Sequence, residues 1–168
     1  WTGLKASAAC AELTKRELVI NVTDKFAIRW LKETEEGRQW ADNYGFPNPP
    51  VILPERECQP DDPHAIIELN LVNGQTIREN PFKIIGIIDA TANFQDFRID
   101  WGEGEDPTEW NVLVDWNNDP AHTPQEIYEW DLTEVEAPVV TLRVLMRSTV
   151  DTQAEKRFTL TLEVPTPT

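Results

Sequence analysis

The stretch "FQDFRIDWGEGEDPTEW", Phe94 to Trp110, decides how this chain is read. Phe97, Ile99 and Trp101 alternate with polar residues, the period of a strand with one buried face. Acid and glycine then crowd together. Gly102 and Gly104 permit positive φ, so "GEGEDP" predicts a turn between two strands. Asp100, Glu103, Glu105, Asp106 and Glu109 offer oxygens there. Asp100 is expected to point away from the core, and unneutralised carboxylates so close together repel one another and prefer water. The acidic turn therefore reads as the corner of a sheet rather than a site.

The same period runs outward in both directions. Upstream, "IIELNL" puts Ile67, Leu69 and Leu71 on one face. "FKIIGIIDA" is apolar on both faces, as a central strand is, and Gly86 in its middle predicts a bulge or a close backbone approach. Downstream, "WNVLVDW" aligns Trp110, Val112, Val114 and Trp116. "VTLRVLM" aligns Val140, Leu142, Val144 and Met146, and "RFTLTLEV" aligns Phe158, Leu160, Leu162 and Val164. Six or seven such strands in roughly 100 residues predict a mainly β fold, an antiparallel β-sandwich of immunoglobulin-like or fibronectin-like kind over 64–164. From Ala65 onward every second side chain is expected to enter a shared interior.

Residues 1–63 read differently. "ELVIN" predicts a short strand. Thr23 or Asp24 can cap a helix carrying Phe26, Ala27, Trp30 and Leu31 on one face. Thr34 can cap a second, with Trp40, Ala41 and Tyr44 inward and Gly45 ending it. This aromatic stripe reads as packing rather than as a ligand cleft. The Pro-rich "FPNPPVILPERE" is extended at best. Cys10 and Cys58 bracket this small helical region. In a secreted module such a pair forms one disulfide, the competing reading being two free thiols. The ending "EVPTPT" reads as a linker over 165–168, and the chain as a fragment of a longer extracytoplasmic protein.

Composition limits the function classes. The 168 residues carry a formal charge of −15 and 40% hydrophobic residues, seven of them Trp. Such acidity disfavours nucleic acid and anionic membrane surfaces. No apolar run approaches the roughly 18 residues of a membrane span. His64 and His122, the two histidines, lie in no nucleophile motif, and no zinc spacing occurs. No acid sits in an apolar stretch that would raise its pKa for glycoside hydrolysis, so no catalytic residue is assigned. Calcium has one weak candidate: Asp115, Asn117, Asp119 and Glu126 match the first, third, fifth and twelfth places of a calcium loop. Pro120 stands where that loop needs glycine. Most tryptophans fall on core-facing positions; Trp1, Trp116 and Trp130 remain as possible stacking platforms for a glycan.

"FRIDWGEGEDPTEW" followed by "EWDLTEVEAPVVTLRVLM" carries a resemblance through Phe97, Trp101, Gly102, Gly104, Pro107, Trp110, Trp130, Asp131, Leu132 and Thr141-Leu142-Arg143. The pattern is similar to the C-terminal extension of class A penicillin-binding proteins of filamentous green non-sulfur bacteria. "GLKASAAC", "NVTDKFAIRWL" and "ILPEREC" resemble the segment that joins the transpeptidase to that extension. The chain departs from the pattern at Ala137-Pro138-Val139-Val140, where the family has Gly and Tyr. The family's catalytic motifs are absent, so the resemblance carries over no catalytic residue. It implies a non-catalytic accessory module of a peptidoglycan synthase, on the cell-wall side of the plasma membrane, for positioning or for meeting a glycan or protein partner. Membrane attachment would come only through the parent chain. Two other readings are a carbohydrate-binding module and an adhesion or surface module of another secreted protein.

Overall fold

The computed structural model describes residues 1–164; the expected linker at 165–168 lies outside the described residues. The chain forms two compact units, one spanning Gly3–Asp62 and the other combining Trp1–Thr2 with the chain from Pro63 onward.

The first unit holds a 3-10 turn (Ala8–Cys10), strand β1 (Val19–Ile20), helices α1 (Lys25–Glu33) and α2 (Glu35–Asn43), and strand β2 (Val51–Ile52). Both helix starts follow their caps. Asp24 Oδ1 accepts from the Ala27 amide at 2.8 Å, and Thr34 Oγ1 from the Gly37 amide at 3.1 Å. Each satisfies a first-turn donor that the helix itself leaves unpaired. Gly45, at φ +78°, follows α2 in the left-handed region. The helices meet so closely that a Cβ on Gly37 would lie 2.2 Å from the Trp30 carbonyl oxygen. β1 and β2 pair in parallel. Cys10 and Cys58 form a disulfide, with Cα atoms 6.1 Å apart and 48 positions apart in sequence. Closing a loop of that length stabilises the unit by about 4 kcal/mol on the chain-entropy model.

The inward aromatic stripe expected here is not what forms. Leu31 and Ala41 are buried, but Phe26 is 80% exposed, Tyr44 68%, Trp40 41% and Trp30 38%. Two nine-residue helices bury one seam between them, and their aromatic side is only partly covered, with Phe46 against Trp40.

The second unit is a two-sheet β-sandwich of eight strands: β3 (Ala65–Leu69), β4 (Gln75–Ile77), β5 (Phe82–Ala90), β6 (Phe94–Glu103), β7 (Asn111–Asn117), β8 (Ala121–Trp130), β9 (Val139–Ser148) and β10 (Gln153–Leu162). One sheet has the order β4-β10-β9-β6-β7, the other β3-β5-β8. The chain changes sheets on either side of β4, between β5 and β6, and again on either side of β8, as in immunoglobulin-like sandwiches. All pairs are antiparallel except β4 with β10, which is parallel.

Strict alternation predicts the core on β6, β9 and β10, whereas β5, expected to be apolar on both faces, buries one face and leaves Ile85 38% exposed on the other. Ile84 and Ile88 of β5, Phe97 and Ile99 of β6, Val140, Leu142, Val144 and Met146 of β9, and Phe158 and Leu160 of β10 are buried. Gly86 sits where β5 slips register against β8, and a Cβ there would lie 2.0 Å from the Glu68 carbonyl oxygen. Trp101 and Trp130 meet across the core with ring centroids 5.7 Å apart.

Alternation fails on β7. Two register irregularities against β6 break its phase. Val112 is 48% exposed, and Trp110 and Trp116 both have guanidinium groups over their rings. Nor did the sequence reveal β8 as a strand. It is an edge strand whose residues His122 to Glu126 are all exposed, and Pro124 is tolerated because an edge position needs no donor there.

Candidate functional site

Polar side chains on β6 and β9 stand on the face of the five-stranded sheet away from the core. Asp100 is fully buried there, against the expectation that this carboxylate prefers water. Arg98 Nε donates to its Oδ1 at 2.6 Å and Arg143 Nη2 to its Oδ2 at 2.7 Å. Arg143 in turn lies 3.8 Å from the centroid of the Trp110 ring, and Arg157 lies 5.2 Å from it. The arrangement recurs along the sheet. Arg147 grips Asp96 through Nε and Nη2 and lies 3.8 Å from the Trp116 centroid. The Asp96 carboxylate holds the Arg147 pKa above its ordinary value. Each carboxylate is thus neutralised by an arginine that also covers a tryptophan, and desolvation strengthens both contacts. Of the acids in the turn itself, Glu103, Glu105 and Glu109 are exposed, and Asp106 lies 3.6 Å from Arg157. Gly104 has φ +81°, and Gly102 serves instead a close approach, its notional Cβ lying 2.4 Å from Pro107.

The calcium candidate does not assemble. Asp115 and Asn117 close β7, Asp119 sits in the connection, and Glu126 lies in β8, on the other sheet. Asp115 Oδ1 accepts from the Trp116 amide at 2.8 Å, and Asn117 Oδ1 from the Asp119 amide at 2.9 Å. Glu126 Oε2 is held by Lys83 Nζ at 2.8 Å, an interaction that also raises the lysine pKa. Pro120 carries the chain from one sheet to the other rather than around an ion. Among the described residues no three His, Cys, Asp or Glu side chains converge as a metal site.

The three expected glycan platforms fare no better. Trp130 is 3% exposed and belongs to the core. Trp116 has Arg147 against its ring. Trp1 is half-buried; its indole Nε1 donates to the Ala92 carbonyl at 2.9 Å, and its own carbonyl accepts from Thr152 Oγ1. His122 Nδ1 sits 2.7 Å from Asp89 Oδ2 on the exposed face of β8.

The aromatic surface that the structure does offer is on α1 and α2. Trp40 is its centre. Ring centroids lie 6.1 Å away for Trp30, 5.0 Å for Tyr44 and 6.4 Å for Phe46, the last nearly parallel at 14°. Gln39 and Asn43, joined by an amide hydrogen bond of 3.2 Å, occupy the neighbouring row of α2. A shallow open depression lined by Thr34, Glu35, Glu36 and Gln39 adjoins it. Charge is balanced across the helical pair: Lys25, Arg29, Lys32 and Arg38 meet Glu33, Glu35, Glu36 and Asp42, four against four, in a chain of net −15. One signal in the sequence pointed here. Two short helices rich in Trp and Tyr have room to bury only one seam, so part of the stripe had to remain outside.

Elsewhere in the same unit Asp62 binds Arg56 through both oxygens at 2.6 and 2.7 Å, and accepts from the Gln59 amide at 2.8 Å. The arginine hydrogen bonds, then the amide, pull its pKa down to about 2. No helix among the described residues is long and apolar enough to cross a membrane. No family model, no curated protein and no solved structure matches the chain.

Proposed function

We propose that the chain is a non-catalytic, extracytoplasmic accessory module that presents a binding surface, and that its parent is a peptidoglycan synthase resembling a class A penicillin-binding protein. The observation that carries this reading is the exposed Trp30–Trp40–Tyr44 cluster on a disulfide-closed helical unit. A disulfide persists in oxidising surroundings, which supports placement on the cell-wall side of the membrane. Leaving large aromatic rings in water costs free energy, and a contiguous exposed patch of them marks an interaction surface. In the sandwich, by contrast, Trp110 and Trp116 lie under arginines that Asp100 and Asp96 hold. Positioning the synthase, or meeting a partner in the wall, needs no more than the exposed patch.

The test is truncation of the parent polypeptide. Removing this segment is expected to leave acylation by a fluorescent β-lactam unchanged while altering where the enzyme accumulates. Loss of acylation in a truncated protein that still folds would overturn the accessory role.

A further inference from the structure

We infer that Lys156 is a guard that keeps the free edge of β3 from pairing with the β3 of a second copy of this chain. Among the described residues the sandwich has four edge strands: β3, β4, β7 and β8. An edge presents unpaired N–H and C=O groups to any passing strand, and soluble sandwiches blunt their edges. β4 is only three residues long. β7 slips register twice against β6, and β8 carries Pro124 among exposed polar residues. β3 has none of these features. Ala65–Leu69 pairs with β5 in unbroken register, lacks proline, and has Glu68 as its one charge.

The free edge can be read residue by residue. Flanking β3, the Thr91 amide donates to the His64 carbonyl at 3.0 Å and the Asn70 amide to the Ile85 carbonyl at 2.8 Å. Even-numbered positions thus bond β5, and the backbone groups of Ala65, Ile67 and Leu69 turn the other way. Ile67 is the middle residue of β3. The edge is therefore self-complementary: two copies can lay β3 on β3, antiparallel, about a two-fold axis at Ile67. A second copy matches this edge in length and register by construction.

Lys156 stands against that centre. Along β10, Ala154, Phe158 and Leu160 are buried, and Lys156 shares their phase while staying half-buried. A lysine at a core-facing position keeps its stem among apolar groups and carries its charge to a polar partner. Here Nζ donates to the Ile67 carbonyl, on the opposite sheet, at 3.0 Å, and lies 5.6 Å from the Phe158 ring centroid. β4 pairs with β10 only from Leu160 to Leu162, so no strand of the sheet lies beside Lys156 on that side. The lysine thus reaches from one open edge to the other. It occupies the acceptor that a β3–β3 ladder needs at its middle. Two copies brought together there would also set one ammonium against the other while stripping water from both. The inference stands apart from the accessory-module reading.

The experiment uses the whole 168-residue chain, with sedimentation equilibrium to measure association and amide hydrogen exchange to locate it. The wild type is expected to stay monomeric at about 100 µM, with any dissociation constant above about 1 mM. Lys156→Met keeps the stem and removes the charge. It is expected to associate at least about tenfold more tightly, with the Ile67 and Leu69 amides newly protected. Lys156→Arg, which restores a long cation, is expected to remain monomeric. Far-UV circular dichroism reports whether each variant folds. Should Lys156→Met unfold, Lys156→Gln, neutral and still polar, is expected to associate in its place. A folded neutral variant that sediments like the wild type overturns the inference. So does association that leaves those two amides exchanging as before, or a wild type that already pairs through them. All of these outcomes leave the accessory role standing, whereas lost acylation in the truncated parent removes it.

Discussion

Tryptophans that leave the core meet opposite fates in the two units. On the outer face of the five-stranded sheet, Trp110 and Trp116 each lie beneath a guanidinium 3.8 Å from the ring centroid. On the helical pair, Trp30 and Trp40 have aromatic ring partners, no guanidinium lies over either ring among the described residues, and they stay 38% and 41% exposed. What separates them is a second buried charge. Asp96 and Asp100 fix the arginines, and the fixed arginines close over the indoles. A surface tryptophan with such a partner is part of the scaffold; one without it is available.

That contrast breaks most visibly at Asp100. Asp100→Ala strands Arg98 and Arg143 on a face where the carboxylate was fully buried, and is expected to cost about 3–5 kcal/mol in urea unfolding of the sandwich. A loss under about 1 kcal/mol would mean that the pair is solvated and that the covering of Trp110 has another cause. A milder test sets the two surfaces side by side. Arg147→Met leaves Asp96 without its partner and Trp116 without its cover, which is expected to cost about 2–3 kcal/mol and to shift tryptophan emission to the red. Tyr44→Ala on the helical pair is expected to cost only about 0.5–1 kcal/mol, since it removes one ring contact from a side chain already mostly in water.

The smallest effect concerns acid. Asp62 titrates at about 2 in the folded helical unit, below its ordinary 3.8, so its pair with Arg56 contributes stability that is complete above the higher value. That contribution is lost as pH falls through the lower one. Carboxyl NMR titration against an Asp62→Asn variant checks this: the wild-type helical unit is expected to weaken over that interval and the variant to show a flatter profile.

The sandwich was legible wherever a strand has one dry face and one wet one. β6, β9 and β10 obey that rule in their buried apolar residues, which follow the period of two, and β5 turns out to obey it although its sequence is apolar at nearly every place. β8 breaks it because an edge strand can carry polar residues in succession and even Pro124. β7 breaks it because its register slips twice, which no composition signal announces. In the helical unit the caps at Asp24 and Thr34 were readable, since a side-chain oxygen ahead of a free amide is a local matter. The direction of the aromatic stripe was not. Periodicity shows that a helix has two faces; which one another layer covers depends on contacts distant in sequence. For the same reason the burial of Asp100 was invisible, because Arg143 lies 43 positions away.

The parallel pairing of β4 with β10 has a mechanical consequence. Gln75–Ile77 run in the same direction as Leu160–Leu162, with three residue pairs in register. Tension applied at Gln75 and at Leu162 pulls these two strands lengthwise past each other. All their rungs then bear load together instead of parting one at a time. A pull between those two points would therefore meet this ladder in shear, the loading that a short run of backbone hydrogen bonds resists best.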